Sequence, residues 1–278
     1  MQRIFHTPEG VRDIYSQECS RKQKLQEKLH RVFHQYGFED IETPTFEYFE
    51  VFSKEVGTIP SRELYKFFDR EGNTLVLRPD FTPSVSRACA TYFNPEKEVV
   101  SLCYTGNTFI NNSSFRGRLK ETTQMGVERM GDDSPEADAE ILAMTVECLL
   151  ATGLTEFQVS VGQVDYYKAI FAQTGMSQEE EEELRELISQ KNYFGVEELV
   201  KNKNMDKSLA RVLSQLPQMF GSTEVLEKAK SLTDNPQALK AVARLEEIYE
   251  LLKVYGYEKY VTFDFAMLSK YHYYTGII

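Results

Sequence analysis

Apolar and polar positions alternate with two different periods along this chain, and each change of period marks an element. From Ser16 to Tyr36 the apolar residues Leu25, Leu29, Val32, Phe33 and Tyr36 fall on one helical stripe, and Gly37 stands where a C-terminal cap belongs. Residues 38–44 read as a short extended segment stopped by Pro44. Residues 64–68 and 74–78 read as hairpin arms around Asp69-Arg70-Glu71-Gly72-Asn73. Thr82-Pro83 predicts a helix start, a capping residue followed by proline in the first turn, with Val85, Ala88, Cys89 and Tyr92 continuing it. Runs at 99–104 and 122–130 predict strands. Ser134-Pro135 opens a helix bearing Ile141, Met144, Cys148 and Leu149 that closes at Gly153, and 157–161 alternates as a strand.

Beyond Tyr166 the pattern turns helical and polar as far as Leu252, with a capping box at Ser177-Gln178-Glu179-Glu180. No strand pattern interrupts it until 260–265, and a last strand-like stretch, 271–278, carries the chain to its end. Hairpins first, a helical block, then strands again predict an α+β fold around an antiparallel sheet flanked by helices. The predicted organisation is a core, first part, over 1–165, a helical insertion over 166–255, and a return to the core sheet over 256–278 that stops inside a strand.

Composition narrows the function classes. Of 278 residues, 41% are hydrophobic and 27% charged, as in an ordinary globular protein. No apolar run is long enough to span a membrane, and the first eight residues have no signal-like core, so a cytoplasmic protein is expected. The net charge of −11 argues against a protein that lives on tRNA contacts. Cys19, Cys89, Cys103 and Cys148 lie far apart without CxxC or Cys/His spacing, and read as free thiols. His6, His30, His34 and His272 read as surface or core residues without metal or triad spacing. No glycine-rich phosphate loop is present. No metal and no cofactor are expected.

Four separated segments resemble the histidyl-tRNA synthetase family, in its order. Thr7-Pro8-Glu9-Gly10-Val11-Arg12-Asp13 precedes Tyr36-Gly37-Phe38-Glu39-Asp40-Ile41-Glu42-Thr43-Pro44, which is similar to the class II dimer-interface motif with Pro44 as its proline. Leu77-Arg78-Pro79-Asp80-Phe81-Thr82 resembles the amino-acid-binding segment. Gly117-Arg118 to Glu121 and Gln124-Met125-Gly126-Val127-Glu128 resemble the end of the ATP-loop motif and the strand after it. Tyr273-Tyr274-Thr275-Gly276 resembles the histidine-specific motif. One such segment arises easily by chance, whereas four in order do not.

The departures matter as much. An active synthetase of this family has an arginine after the phenylalanine of its ATP motif. Here Phe109 is followed by Ile110, and Asn112 replaces the acidic residue expected shortly after. The arginine that opens the histidine-specific segment aligns with Ser269. Adenylate formation spreads charge over a pentavalent phosphorus centre and needs fixed cations around it. The resemblance therefore implies no catalytic residue but a retained amino-acid pocket. In it Asp80, with Thr82 and Gln124, would take the ligand ammonium, while Glu128 and Tyr274, beside Tyr273, would bracket an imidazole. Asp80 is one methylene shorter than the family's usual glutamate. Arg116, Arg118 or Lys270 would read the ligand carboxylate.

A kept pocket beside lost chemistry resembles the ATP phosphoribosyltransferase regulatory subunits, paralogues of the synthetases. That resemblance implies a homodimer partnered with the short-form catalytic subunit of the transferase, the first enzyme of histidine biosynthesis, with L-histidine as feedback effector. The rival is a divergent or truncated histidyl-tRNA synthetase, and Ile110 and Ser269 argue against it. Two weaker alternatives are a synthetase-like enzyme with another acceptor, which needs the same cations, and a structural partner with a vestigial pocket.

Overall fold

The computed structural model describes residues 5–53, 59–112, 117–203, 205–268 and 274–278. Two compact units divide the chain, one of residues 1–133 with 147–153, the other of 134–146 with 154–278. The segments 154–165 and 256–278 thus cluster with the helical block rather than with the first 133 residues.

In the first unit α1 (Ser16–Gln35) leads into β1 (Glu39–Asp40), β2 (Phe46–Tyr48), the single turn α2 (Glu50–Ser53), and β3 (Lys66–Phe68) with β4 (Thr74–Leu77). It continues through α3 (Thr82–Tyr92), β5 (Val100–Phe109), β6 (Glu121–Met130) and the last turn and a half of α4 (Pro135–Thr152). One sheet has the order β1-β5-β6 and a second the order β2-β4-β3. The helix α1 ends as its pattern predicts, with Gly37 at a positive φ of 78° just past the cap. The helix α3 lays Phe81, Val85 and Cys89 onto Val100, Leu102 and Tyr104 of β5. The opposite face of the ribbon receives α1, where Lys22 Nζ donates to Thr123 Oγ1 at 2.5 Å and Val32 and Phe33 are buried.

The second unit holds α4's first part, β7 (Val159–Val161), α5 (Val164–Phe171), α6 (Gln178–Ser189), α7 (Tyr193–Asn202), α8 (Lys207–Gln215), β8 (Phe220–Gly221), α9 (Thr223–Leu232), α10 (Pro236–Tyr255) and β9 (Val261–Asp264). Its sheet runs β7-β9-β8, with all four β9 residues buried. The predicted capping box is formed: the Ser177 hydroxyl accepts from Glu180 N, and the Glu180 carboxylate accepts from Ser177 N at 3.0 Å.

Three readings need correction. Pairing is not wholly antiparallel, because β1 joins β5 and β7 joins β9 in parallel register. The helical block is not free of strand, since Phe220 and Gly221 pair with Asp264 and Phe263; two residues are too few for a period to declare itself. Thr82 does not cap α3. The cap position is Phe81, without a side-chain bond, and the Thr82 hydroxyl is used elsewhere. Of the predicted strand 271–278, residues 271–273 lie outside the described residues, and the rest makes one bridge, Ile277 to Gln163.

Candidate functional site

Side chains alternate across paired strands, so Leu102, Tyr104 and Gly106 of β5 share a face with their partners Glu128, Gly126 and Gln124 of β6. The two glycines keep that face open. A Cβ on Gly126 would overlap the Tyr104 hydroxyl, and one on Gly106 would lie 2.5 Å from an Arg78 guanidinium nitrogen and 2.7 Å from the Phe81 ring. Tyr104 can therefore lie over the ribbon, stacked on Phe81 with ring centres 4.3 Å apart and planes 9° apart. Arg78, next but one to Asp80 in sequence, is spent elsewhere. Its Nη1 donates to Thr43 O and its Nε to Asn107 O, both at 2.8 Å, and its guanidinium carbon sits 4.0 Å from the centre of the Phe81 ring.

Four predicted ligand residues meet on this face. The Thr82 hydroxyl donates to Glu128 Oε1 at 2.7 Å, and Gln124 Nε2 donates to Asp80 Oδ1 at 3.2 Å and to the Tyr104 hydroxyl at 3.4 Å. Asp80 Oδ1 also accepts from Phe81 N at 2.7 Å. Burial raises the Glu128 pKa above the ordinary glutamate value and the Asp80 charge adds to it, while bonds from Thr82 and Tyr104 pull it down. Burial likewise pushes the Tyr104 phenol up, reinforced by Glu128 and Asp80. Among the described residues no basic side chain forms an ion pair with either carboxylate. Two carboxylates and a small set of neutral donors thus face one another here, with no ion pair to either acid among the described residues.

The other predicted positions fall differently. Tyr274 belongs to the second unit, where its main-chain oxygen accepts from Lys168 Nζ at 3.2 Å. Tyr273, Lys270, Arg116 and Ser269 lie outside the described residues. Arg118 is exposed. Ile110, the position that the resemblance matches to the synthetases' arginine, follows the end of β5, its N–H donating to Lys120 O at 2.9 Å. Sequence reasoning missed Tyr104. The available signal was Gly126, since a glycine inside a strand often marks a close approach by another group. It also missed that His30 and His34 stand four residues apart on one face of α1, a spacing that brings two rings together.

Comparison with known proteins decides the family. The family model described as histidyl-tRNA synthetase matches residues 10–278. The ATP phosphoribosyltransferase regulatory subunit of Acetivibrio thermocellus is 40% identical over 274 residues, 99% of this chain and 66% of that protein. A crystal structure from Bacillus halodurans, described as an ATP phosphoribosyltransferase regulatory subunit/histidyl-tRNA synthetase, aligns with a TM-score of 0.89 at 32% identity, covering 100% of this chain and 72% of that one. The chain belongs to this histidyl-tRNA synthetase-like family of ATP phosphoribosyltransferase regulatory subunits. Its α+β fold is accordingly the class II synthetase-like one. A chain of the ATP phosphoribosyl transferase (HisG:HisZ) complex from Thermotoga maritima shares the fold, with a TM-score of 0.68 at 21% identity over 92% of this chain and 85% of that one. The chain spans about two thirds of the length of the first curated relatives it matches, 66% and 65%.

Within this family the Glu128 environment has a measurable consequence. A carboxyl whose pKa is raised on folding favours the folded state below the ordinary glutamate range and loses that advantage as pH rises through the raised value. Glu128→Gln keeps an acceptor for Thr82 and removes the charge. In urea unfolding without ligand the variant should gain stability relative to the parent between pH 5 and 8, by about 1 kcal/mol for each unit of raised pKa, and the gain should vanish below about pH 4. A difference that grows as pH falls would contradict the raised pKa.

Proposed function

We propose that this chain is a non-catalytic regulatory subunit that binds L-histidine and sets the activity of a short-form ATP phosphoribosyltransferase catalytic subunit, the first enzyme of histidine biosynthesis. The observation that carries the reading is the Asp80–Glu128 pair, half-buried, bridged by Thr82, Gln124 and Tyr104, and without an ion pair among the described residues. Histidine carries an ammonium and an imidazole on one short frame. Asp80, with the Gln124 amide, takes the ammonium by a charge-assisted bond. Glu128 takes a ring N–H, and a neighbouring positive charge would draw its pKa back down. The ligand carboxylate falls to Arg116, Arg118 or Lys270. Ile110 supports the absence of adenylate chemistry, since a site without that cation lacks part of the charge stabilisation phosphoryl transfer needs. The names of the relatives support the transferase partner, and the net charge of −11 supports a protein without tRNA.

A homodimer is part of the same reading. Around Pro44 the aromatic side chains of Phe46, Tyr48 and Tyr92 are 50%, 55% and 76% exposed. Tyr48 and Tyr92 line a cleft of about 640 Å³ together with Ile41, Pro44, Phe93 and Leu102, with Glu47 and Arg87 among its polar lining. Clustered exposed aromatics of this kind suit an isologous interface between two copies. Sedimentation at micromolar concentration should give twice the 32.2 kDa chain mass, and a monomer throughout would remove this part of the reading.

Calorimetry tests the ligand directly. Histidine should bind saturably, and Glu128→Gln should weaken it by about 1–3 kcal/mol, roughly 5- to 150-fold, while ATP–pyrophosphate exchange stays at the no-protein background. Parental affinity in Glu128→Gln would take the ligand out of this site.

The regulatory role needs a coupled assay. A ligand shifts an equilibrium only through its different affinity for two states, so histidine must prefer one state of the complex. The coupling expected is about 1–3 kcal/mol, and the transferase substrates must weaken histidine binding by the same factor. Phosphoribosyl transfer to ATP should therefore become histidine-sensitive when this protein is mixed with the catalytic subunit. Identical sensitivity with and without it would defeat the reading.

A further inference from the structure

The back of the ribbon holds a second cluster that plays no part in the pocket. Cys103 lies between Leu102 and Tyr104 on β5, so its side chain points to the opposite face, toward α1. There it meets Asp40 of β1, whose main chain pairs in parallel register with Cys103 itself. On α1, His30 and His34 are four residues apart, with ring centres 4.2 Å from one another. Both rings turn Nε2 to the same carboxylate: His30 lies 2.5 Å from Asp40 Oδ1 and His34 lies 3.0 Å from Oδ2. The Cys103 thiol completes the group, 3.4 Å from Oδ1. One atom from each of the four side chains can be chosen so that all lie within 4.8 Å of one another.

We propose that His30, His34, Asp40 and Cys103 form a four-ligand site for a divalent transition metal, with Zn²⁺ the ion their chemistry fits. A tetrahedral zinc holds imidazole nitrogen at about 2.0–2.1 Å, carboxylate oxygen at about 2.0–2.2 Å and thiolate sulfur at about 2.3 Å. Simple geometry then separates the donors by roughly 3.3–3.8 Å. The closest pair here opens by about 1 Å to reach that spacing, through rotation of histidine side chains that are 37% and 46% exposed. Cys103 is fully buried in its strand and serves as the fixed wall of the site. Two imidazoles and a thiolate select zinc-like ions over calcium or magnesium, which take oxygen sets. The thiolate and the carboxylate together cancel the ion's two positive charges, so the filled site is neutral.

The hydrogen bonds to Asp40 account for the carboxylate but not for the donor set. Helix α1, strand β1 and strand β5 each contribute ligands, and the two from the helix have the spacing that puts both rings on one side. An ion there ties the last turns of α1 to the middle of the ribbon, directly behind Tyr104. Because four protein ligands fill a tetrahedral shell, the site is structural: it leaves no open position for a substrate.

The test uses the purified protein stripped of metal with a chelator and then titrated with Co²⁺ and Zn²⁺. One equivalent of Co²⁺ should give the strong visible absorption of a tetrahedral ion and a near-ultraviolet sulfur-to-cobalt band. Cys103→Ser should lose that band, whereas Cys19→Ser and Cys148→Ser should keep it. The exposed His34→Ala variant, which leaves the buried thiol untouched, should bind Zn²⁺ at least about tenfold more weakly in competition with a chromophoric chelator. Zn²⁺ should raise Tm of the parent by several degrees and that of His34→Ala by clearly less at the same Zn²⁺ concentration. A weak octahedral cobalt spectrum without the sulfur band, or parental zinc affinity in a His30→Ala/His34→Ala double variant, would overturn the proposal.

Discussion

The antiparallel pairing of β5 with β6, ten residues on each strand from Val100–Met130 to Phe109–Glu121, is the constraint from which the rest of the first unit follows. With this register set, the two-residue period of a strand sorts side chains to opposite faces without further choice. One face receives Leu102, Tyr104, Gln124 and Glu128 and is closed by α3. The other receives Cys103, Thr123 and Arg129 and is met by α1, with Arg129 stacked 5.4 Å from the centre of the Phe38 ring. A slip of one residue would exchange the two sets, putting the Glu128 carboxylate against the helix and the Cys103 thiol beside Asp80 and Thr82. Register here decides which chemistry is available on which side.

The pocket also depends on an unusual allocation of charge. Arg78 is close in sequence to Asp80 and would neutralise it in many proteins. Instead its guanidinium is held by the Thr43 and Asn107 carbonyls and lies against the Phe81 ring, where burial lowers its pKa. That leaves Asp80 and Glu128 supported only by neutral donors. Buried charge without a counter-charge is costly in the empty protein. Under the proposed function the same cost is the source of selectivity, since a cationic ligand would relieve it and a neutral molecule of equal shape would not.

Much of this was legible in the residues. The stripe of α1, the glycine after it, the Ser177–Glu180 box and the proline at the start of α3 each depend on groups three or four positions apart, so their physics is contained in a short window. The order of the resembling segments identified the fold and singled out four side chains that the structure brings together, for a related reason. Asp80 and Thr82 are neighbours, Gln124 and Glu128 share one strand face, and only their meeting required the sheet.

What the window could not contain, the tertiary structure decided. The parallel joins of β1 to β5 and of β7 to β9 link residues 63 and 102 positions apart, and neither strand's pattern names its partner. The two-residue strand β8 exists only because β9 offers it a ladder. Tyr104 reads as one more apolar position until Gly126 is seen lying beneath it. His30, His34, Asp40 and Cys103 read as ordinary surface and core residues until the pairing of β1 with β5 sets Asp40 beside Cys103 and helix packing brings the two histidines over them. A local sequence sets the period, the caps and the chemical identity of each side chain, because those depend on bonds to near neighbours. Which side chains become neighbours is settled by the burial of apolar faces across the whole unit, an energy that no single segment carries.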